Sequence, residues 1–253
     1  MDLHLIHFRV SHYNEKVRWA LDHKRLPHTR EARIPGLHIR RARKLTQQTK
    51  LPILVLDGKP LAGSAQIVAE LERLHPEPAL FPADEAGRVR AREIEAYFDE
   101  EVAPAVRRLF WSTYLPHGAL CARMATDGFS RGKRLLWRGM LPIARRVMGR
   151  NMQLDRERLE EARANLGSYI DRIESQLGPT GYLIGDRFGV ADLAVAAVMS
   201  AILRPPEFPY PLPEPWPPEL TALRDSIAGR RGARWVFDIY RRHRGTSAER
   251  PAL

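Results

Sequence analysis

Cysteine is almost missing from this sequence. Cys121 is the only one, so no intrachain disulfide forms, and a Cys-x-x-Cys redox pair or a cysteine-based zinc site is excluded. Long apolar runs are missing as well: none approaches the roughly 20 residues that span a bilayer. The start, Met1-Asp2-Leu3-His4, lacks the basic lead and apolar stretch of a secretory signal, which leads us to expect a cytoplasmic protein. Acidic side chains are in deficit, 30 against 41 lysines and arginines, for a net charge of +11. Such an excess attracts anions of every kind and selects none. Nine histidines do not replace the missing thiols. His4 and His7 stand close, but they alternate with Leu3, Leu5 and Phe8 as in a strand. No carboxylate lies at metal-site spacing beside them, and no metal is expected.

What is present is ample core material, 44% apolar residues in 253, enough for two ordinary domains. The alternation of Leu3, Leu5 and Phe8 predicts a strand. After Ser11-His12-Tyr13-Asn14, helical spacing of Val17, Ala20, Leu21 and Lys24 predicts a helix over Glu15 to Lys24. A second strand is expected near His28 to Ile34 and a short exposed helix over His38 to Gln48. Leu51 to Leu56 and Lys59-Pro60-Leu61 flank Asp57-Gly58, the signature of a tight hairpin turn. Ser64 is expected to cap a helix carrying Ile67, Val68, Leu71 and Leu74 on one face. The order reads β-α-β-α-β-β-α.

Beyond that the pattern turns helical. Helices are predicted near 85–111, 131–150, 155–177, 191–203, 219–227 and 233–243, with Pro104 and Pro142 expected to kink or split theirs. Eight prolines in residues 205–218 predict a stiff, extended loop. The expected division is a first domain over 1–78, a linker over 79–86 and an all-helical domain over 87–253. Arg123 to Arg150 holds eight basic residues against Asp127 alone. The leading reading of the amphipathic stretch 129–150 is a helix packed on the core with a solvated arginine face. A membrane-surface helix or an anionic-partner site is the alternative. No nucleic-acid motif accompanies the charge, so no nucleic acid is expected.

Four stretches, in order, carry a resemblance: Ser11-His12-Tyr13-Asn14-Glu15-Lys16-Val17, Lys50-Leu51-Pro52, Gly63-Ser64-Ala65-Gln66-Ile67, and Gly185-Asp186-Arg187-Phe188-Gly189-Val190-Ala191-Asp192. Together they resemble the glutathione S-transferase family over nearly the whole chain. The resemblance implies an α+β, thioredoxin-like N-terminal domain followed by an all-α C-terminal domain. It also implies glutathione as co-substrate and a small hydrophobic electrophile as acceptor, in detoxification-type conjugation by a homodimer.

The same resemblance assigns residues. Ser11 stands before a helix amino terminus, whose free N–H groups and partial positive charge favour a thiolate. Its hydroxyl is expected to donate to the glutathione sulfur and lower the thiol pKa; the alternative is a plain helix cap. Asn14 either supports the sulfur or serves as a second cap, and Tyr13 is expected to pack. The missing cysteines exclude dithiol chemistry. Pro52 is expected to follow a cis peptide, with the Leu51 backbone pairing to the cysteinyl unit like an added strand. Ser64 and the Ala65 amide are expected to hold the γ-glutamyl carboxylate, and Lys50, helped by Arg40 or Arg41, the glycyl carboxylate. Tyr97, Phe98, Phe110, Trp111 and Tyr114 are acceptor-pocket or core candidates.

At Gly63 the family pattern has an acid facing the γ-glutamyl ammonium. Its loss removes a charge-assisted hydrogen bond of about 1.5–3 kcal/mol, and restoring it is expected to tighten binding unless Gly63 has positive φ. A binding or scaffold protein with weak catalysis is therefore the second functional reading. Asp192 is expected to bond backbone N–H groups at a buried helix start, with the other half of its capping box absent at Gly189.

Overall fold

Residues 1–251 are described by a computed structural model. Alternating apolar residues build β1 (Leu3–His7), which is buried at the centre of a four-stranded sheet. β1 runs parallel to β2 (Thr29–Ala32), through the crossover helix α1 (His12–His23). On its other side β1 pairs antiparallel with β3 (Ile53–Leu56), in the register Ile6 opposite Ile53. β3 turns through Asp57 and Gly58, both at positive φ, into β4 (Lys59–Ala62), as an Asp-Gly hairpin requires. Helices α2 (Ile39–Thr46) and α3 (Ser64–Leu74) complete the βαβαββα unit. Ala42 of α2 packs on Ile6, Leu51 and Ile53.

The remaining elements are helical: α4 (Glu85–Tyr97), α5 (Ala103–Tyr114), α6 (Gly118–Thr126), α7 (Arg131–Asn151), α8 (Arg156–Ala164), α9 (Leu166–Gln176), α10 (Val190–Leu203), α11 (Pro218–Ala228) and α12 (Arg231–His243). This is the thioredoxin-like fold followed by helices that the sequence implied. At the centre lies α10, buried at every residue and packed against α1, α4, α5 and α12. Trp19 of α1 meets it there, with ring centroids 5.4 Å from Phe188 and 4.4 Å from Tyr240. Such aromatic pairs add about 0.5–1.5 kcal/mol each beyond their buried area.

Several local expectations need correction. α1 begins at His12, three residues before the apolar spacing shows it. Ser64 does not cap α3: Gly63 holds the cap position at φ +93° and Ser64 is the first helical residue. Around Pro104 the helix does split, through a π-turn at Phe98–Val102. At Pro142 α7 runs on unbroken, because the carbonyl that loses its bond belongs to exposed Arg138. The expected 155–177 helix is two, divided at Asn165, and α6 was not foreseen. Asp192 behaves as expected: its carboxylate accepts from Gly189 and Leu183 N–H at 2.9 Å each. Burial raises its pKa to about 6.

The segment after α12 turns back onto the sheet unit. Arg244, Ser247 and the Ala248 N–H all bond the Asp22 carboxylate of α1. The Arg250 N–H donates to the His28 carbonyl at 2.8 Å, extending the β2 edge.

Candidate functional site

The β1–α1 turn is held from beneath by one side chain. Arg18, fully buried, donates to the carbonyls of Phe8 and Arg9 at 2.9 and 3.1 Å. It also bonds buried Glu15 at 2.7 Å. Glu15 in turn takes Arg244 at 2.5 Å. Burial lowers the Arg18 pKa, and Glu15 opposes that shift. Nothing in the sequence marked Arg18 or Arg244, since arginines on a helix and in a tail read as solvated.

On this support Ser11 takes an extended cap conformation, φ −91° and ψ 131°. Its hydroxyl caps nothing; the backbone carbonyl alone starts the helix, accepting from Glu15 N–H at 2.9 Å. Asn14 sits inside the turn. Its Oδ1 accepts from Phe8 N–H at 3.2 Å, and its buried Nδ2 donates to no described residue. Tyr13 points away, donating to the Asp99 carbonyl at 2.8 Å, with burial pushing its pKa to about 12. It packs between the sheet unit and the helices, as expected. His12 is buried, and desolvation, then Arg107 and Lys16, lower its pKa to about 3. It is a neutral ring at physiological pH.

The register of β1 and β3 continues this geometry. With Ile6 opposite Ile53, Leu51 falls across from Phe8, immediately before the cis Leu51–Pro52 peptide. Leu51 is outside the strands, and its N–H and C=O have no backbone partner among the described residues. Ser64 is buried at the start of α3, where its hydroxyl and the first N–H groups, Ala65 included, are unspent. Lys50 is exposed and pairs with no described carboxylate; Arg40 is exposed too, while the Arg41 Nε is buried without a partner. The seven positions named from the sequence, Ser11, Asn14, Lys50, Leu51, Pro52, Ser64 and Ala65, thus fall on three segments at one end of the sheet unit: the β1–α1 turn, the lead into β3 and the α3 start.

Gly63 corrects one expectation. Its φ of +93° disfavours any side chain, and an added Cβ would stand 2.0 Å from Gln66 Oε1. Installing an acid here therefore strains the backbone instead of simply restoring a contact. Gly63→Asp is expected to lower stability by about 1–2 kcal/mol and to leave glutathione affinity no tighter. Paired melting and calorimetric titration check this; tighter binding at an unchanged midpoint would refute it.

Other structures border the turn. Tyr210 of the proline-rich loop lies with its ring 5.3 Å from the Arg9 guanidinium and 4.9 Å from that of Arg18. Arg9 also donates to the Asp127 carbonyl at 3.0 Å and lies 5.4 Å from the Phe129 ring. Sequence reasoning missed this rim of Arg9, Phe129 and Tyr210. Only the stiffness of the proline run hinted that its aromatics hold fixed positions. Of the five aromatic candidates, Phe98, Phe110, Trp111 and Tyr114 are buried, and Tyr97 is partly exposed.

Comparison with known proteins agrees with this geometry. Residues 5–79 match the family pattern described as the glutathione S-transferase N-terminal domain, and residues 156–225 match the C-terminal domain of that family. Protein LigF of Sphingobium sp. strain SYK-6 is 26% identical over 177 residues, covering 66% of this chain and 64% of LigF. The match thus spans less than two thirds of that relative. The crystal structure of the β-etherase LigF superimposes with a TM-score of 0.59 at 22% identity, covering 94% and 99% of the two chains; this likeness is one of fold. A glutathione S-transferase from Methylobacterium radiotolerans, in complex with glutathione sulfonate, gives a TM-score of 0.51 at 25% identity over 92% and 93%. With both halves matched and the fold shared end to end, the chain belongs to the glutathione S-transferase family.

Proposed function

We propose that the protein is a glutathione transferase that activates the glutathione thiol for attack on a small hydrophobic electrophile. The observation that carries this reading is the uncommitted Ser11 hydroxyl at the amino terminus of α1. A hydroxyl that caps nothing, beside N–H groups of a helix start, is placed to donate to a thiolate. Each such bond favours the charged sulfur over the thiol and so lowers its pKa from about 8.5. Asn14 Nδ2, buried and unpartnered, is a second donor for the sulfur or for the ligand backbone.

The rest of the tripeptide follows from the unspent groups. The Leu51 N–H and C=O take the cysteinyl unit as an added strand would. The Ser64 hydroxyl and Ala65 N–H take the γ-glutamyl carboxylate, and Lys50 takes the glycyl carboxylate. The thiolate then attacks an electrophile held beside Arg9, Phe129 and Tyr210, the side chains that border the turn. The likeness to a β-etherase adds a β-ether to the electrophiles to assay. The test is calorimetric titration with glutathione, followed by turnover of an aromatic halide and a β-ether. No heat at millimolar glutathione would end this reading.

A second reading, a binding or scaffold protein with weak catalysis, rests on Gly63, which leaves the γ-glutamyl ammonium without its acid. It predicts binding heat with no turnover. We further propose a cytoplasmic, symmetric homodimer, two-fold closure being the common solution for such folds. Light scattering is expected to give twice the 28.9 kDa chain mass; a monomer at micromolar concentration would refute it.

A further inference from the structure

α7 lies in the stretch between the two family matches, and its surface is unlike the rest of the molecule. Six large hydrophobic residues are exposed among the described residues, and four of them are here: Leu135 (73% exposed), Leu136 (55%), Ile143 (69%) and Val147 (46%). Single exposed leucines are ordinary, whereas a contiguous patch marks an interaction surface. The expected solvated arginine face is therefore only half of what this helix presents.

At about 100° per residue, three lines run along the helix, with Arg146 and Arg150 falling between Leu135 and the outermost apolar line. Trp137, Leu141, Ala144 and Met148 face inward, buried or partly buried, and the Trp137 Nε1 donates to the Pro35 carbonyl at 3.0 Å. This fixes the helix on the sheet unit. Leu136, Ile143 and Val147 share one line within about 40°. Arg131, Arg138 and Arg145, at seven-residue spacing, form another, with Leu135 between the two. The apolar residues extend over about 18 Å of helix. None of the seven cations of α7 pairs with a carboxylate among the described residues.

We propose that α7 is a docking surface for an anionic phospholipid bilayer. An interfacial helix buries an apolar strip in the headgroup boundary and sets basic side chains along its border, where each contributes to attraction by acidic lipids. A second copy of this chain fits poorly, because a two-fold contact along α7 would bring unpaired arginines together. A protein groove fits poorly as well. Its walls would need acidic side chains for seven cations spread around the helix, whereas an anionic bilayer supplies that charge as a continuous surface.

The test is sedimentation of the purified full chain with vesicles of phosphatidylcholine alone, or with a quarter of the lipid replaced by phosphatidylglycerol. Binding is expected only with the anionic vesicles. The triple variant Arg131→Gln/Arg138→Gln/Arg145→Gln is expected to lose it by on the order of 100-fold, and Leu135→Ser/Ile143→Ser by at least about tenfold. Circular dichroism and melting curves confirm that these exposed variants fold. No binding, or equal binding to neutral vesicles, overturns the proposal. Retained binding in the serine variant would mean charge adsorption alone, and overturns it too. A dimer that dissociates on Ile143→Ser would place a second copy on this face and likewise overturn it.

Discussion

Ser11→Ala is expected to lower the rate of glutathione conjugation by about 10- to 100-fold while changing glutathione affinity by no more than a few fold. The range follows from the roughly 1.5–3 kcal/mol of a hydrogen bond to a charged group, converted at about 1.4 kcal/mol per tenfold. The bond counts in full only when the sulfur is a thiolate, so its loss falls on the chemical step and not on binding. The pH profile supplies an independent readout. Without the donor the bound thiol pKa rises, so the alkaline rise in rate shifts to higher pH. The backbone should not respond, because the Ser11 hydroxyl caps no N–H and its removal leaves α1 intact. An unchanged rate would transfer the donor role to Asn14 Nδ2 or to the α1 amides.

The largest effect on stability is expected from Glu15→Gln. Glu15 is the buried counter-charge of two guanidinium groups, Arg18 and Arg244, and no other carboxylate lies within ion-pair distance of Arg18 among the described residues. Removing one partner of a buried ion pair strands the other charge, at a cost of about 3–5 kcal/mol. In a chain of this size that corresponds to a fall in melting temperature of roughly 10 °C. Because Arg18 also holds the Phe8 and Arg9 carbonyls, the β1–α1 turn should loosen, and glutathione binding should weaken with stability. A variant that melts as the native protein does would show that glutamine satisfies both arginines.

The βαβαββα order was legible because each element announces itself locally: alternation in β1, Asp-Gly between β3 and β4, apolar spacing in α3. The three segments proposed to hold glutathione were picked out by resemblance alone, and they lie at one end of the sheet unit. Two things stayed hidden. Helix beginnings depend on backbone angles, so Gly63 took the cap position that the chemistry of Ser64 suggested. The support beneath the turn depends on groups more than 200 residues apart, the Glu15 carboxylate with Arg244 and the Asp22 carboxylate with the Ala248 N–H, which no local pattern encodes. The α7 surface was half legible: its charge stood out in the sequence, but the exposure of Leu135, Leu136 and Ile143 follows from Trp137 having claimed the inward side.

The tail that bonds Asp22 and the β2 edge has a consequence for the order of synthesis. Glu15 and Asp22 leave the ribosome early, while Arg244, Ser247 and Ala248 emerge only after some 220 further residues. Until then Asp22 has Arg30 as its partner, and Glu15 must answer Arg18 alone. The sheet unit thus waits on the translated tail for part of its own charge balance. In the folded chain the charge balance of α1 is drawn from both ends of the described sequence.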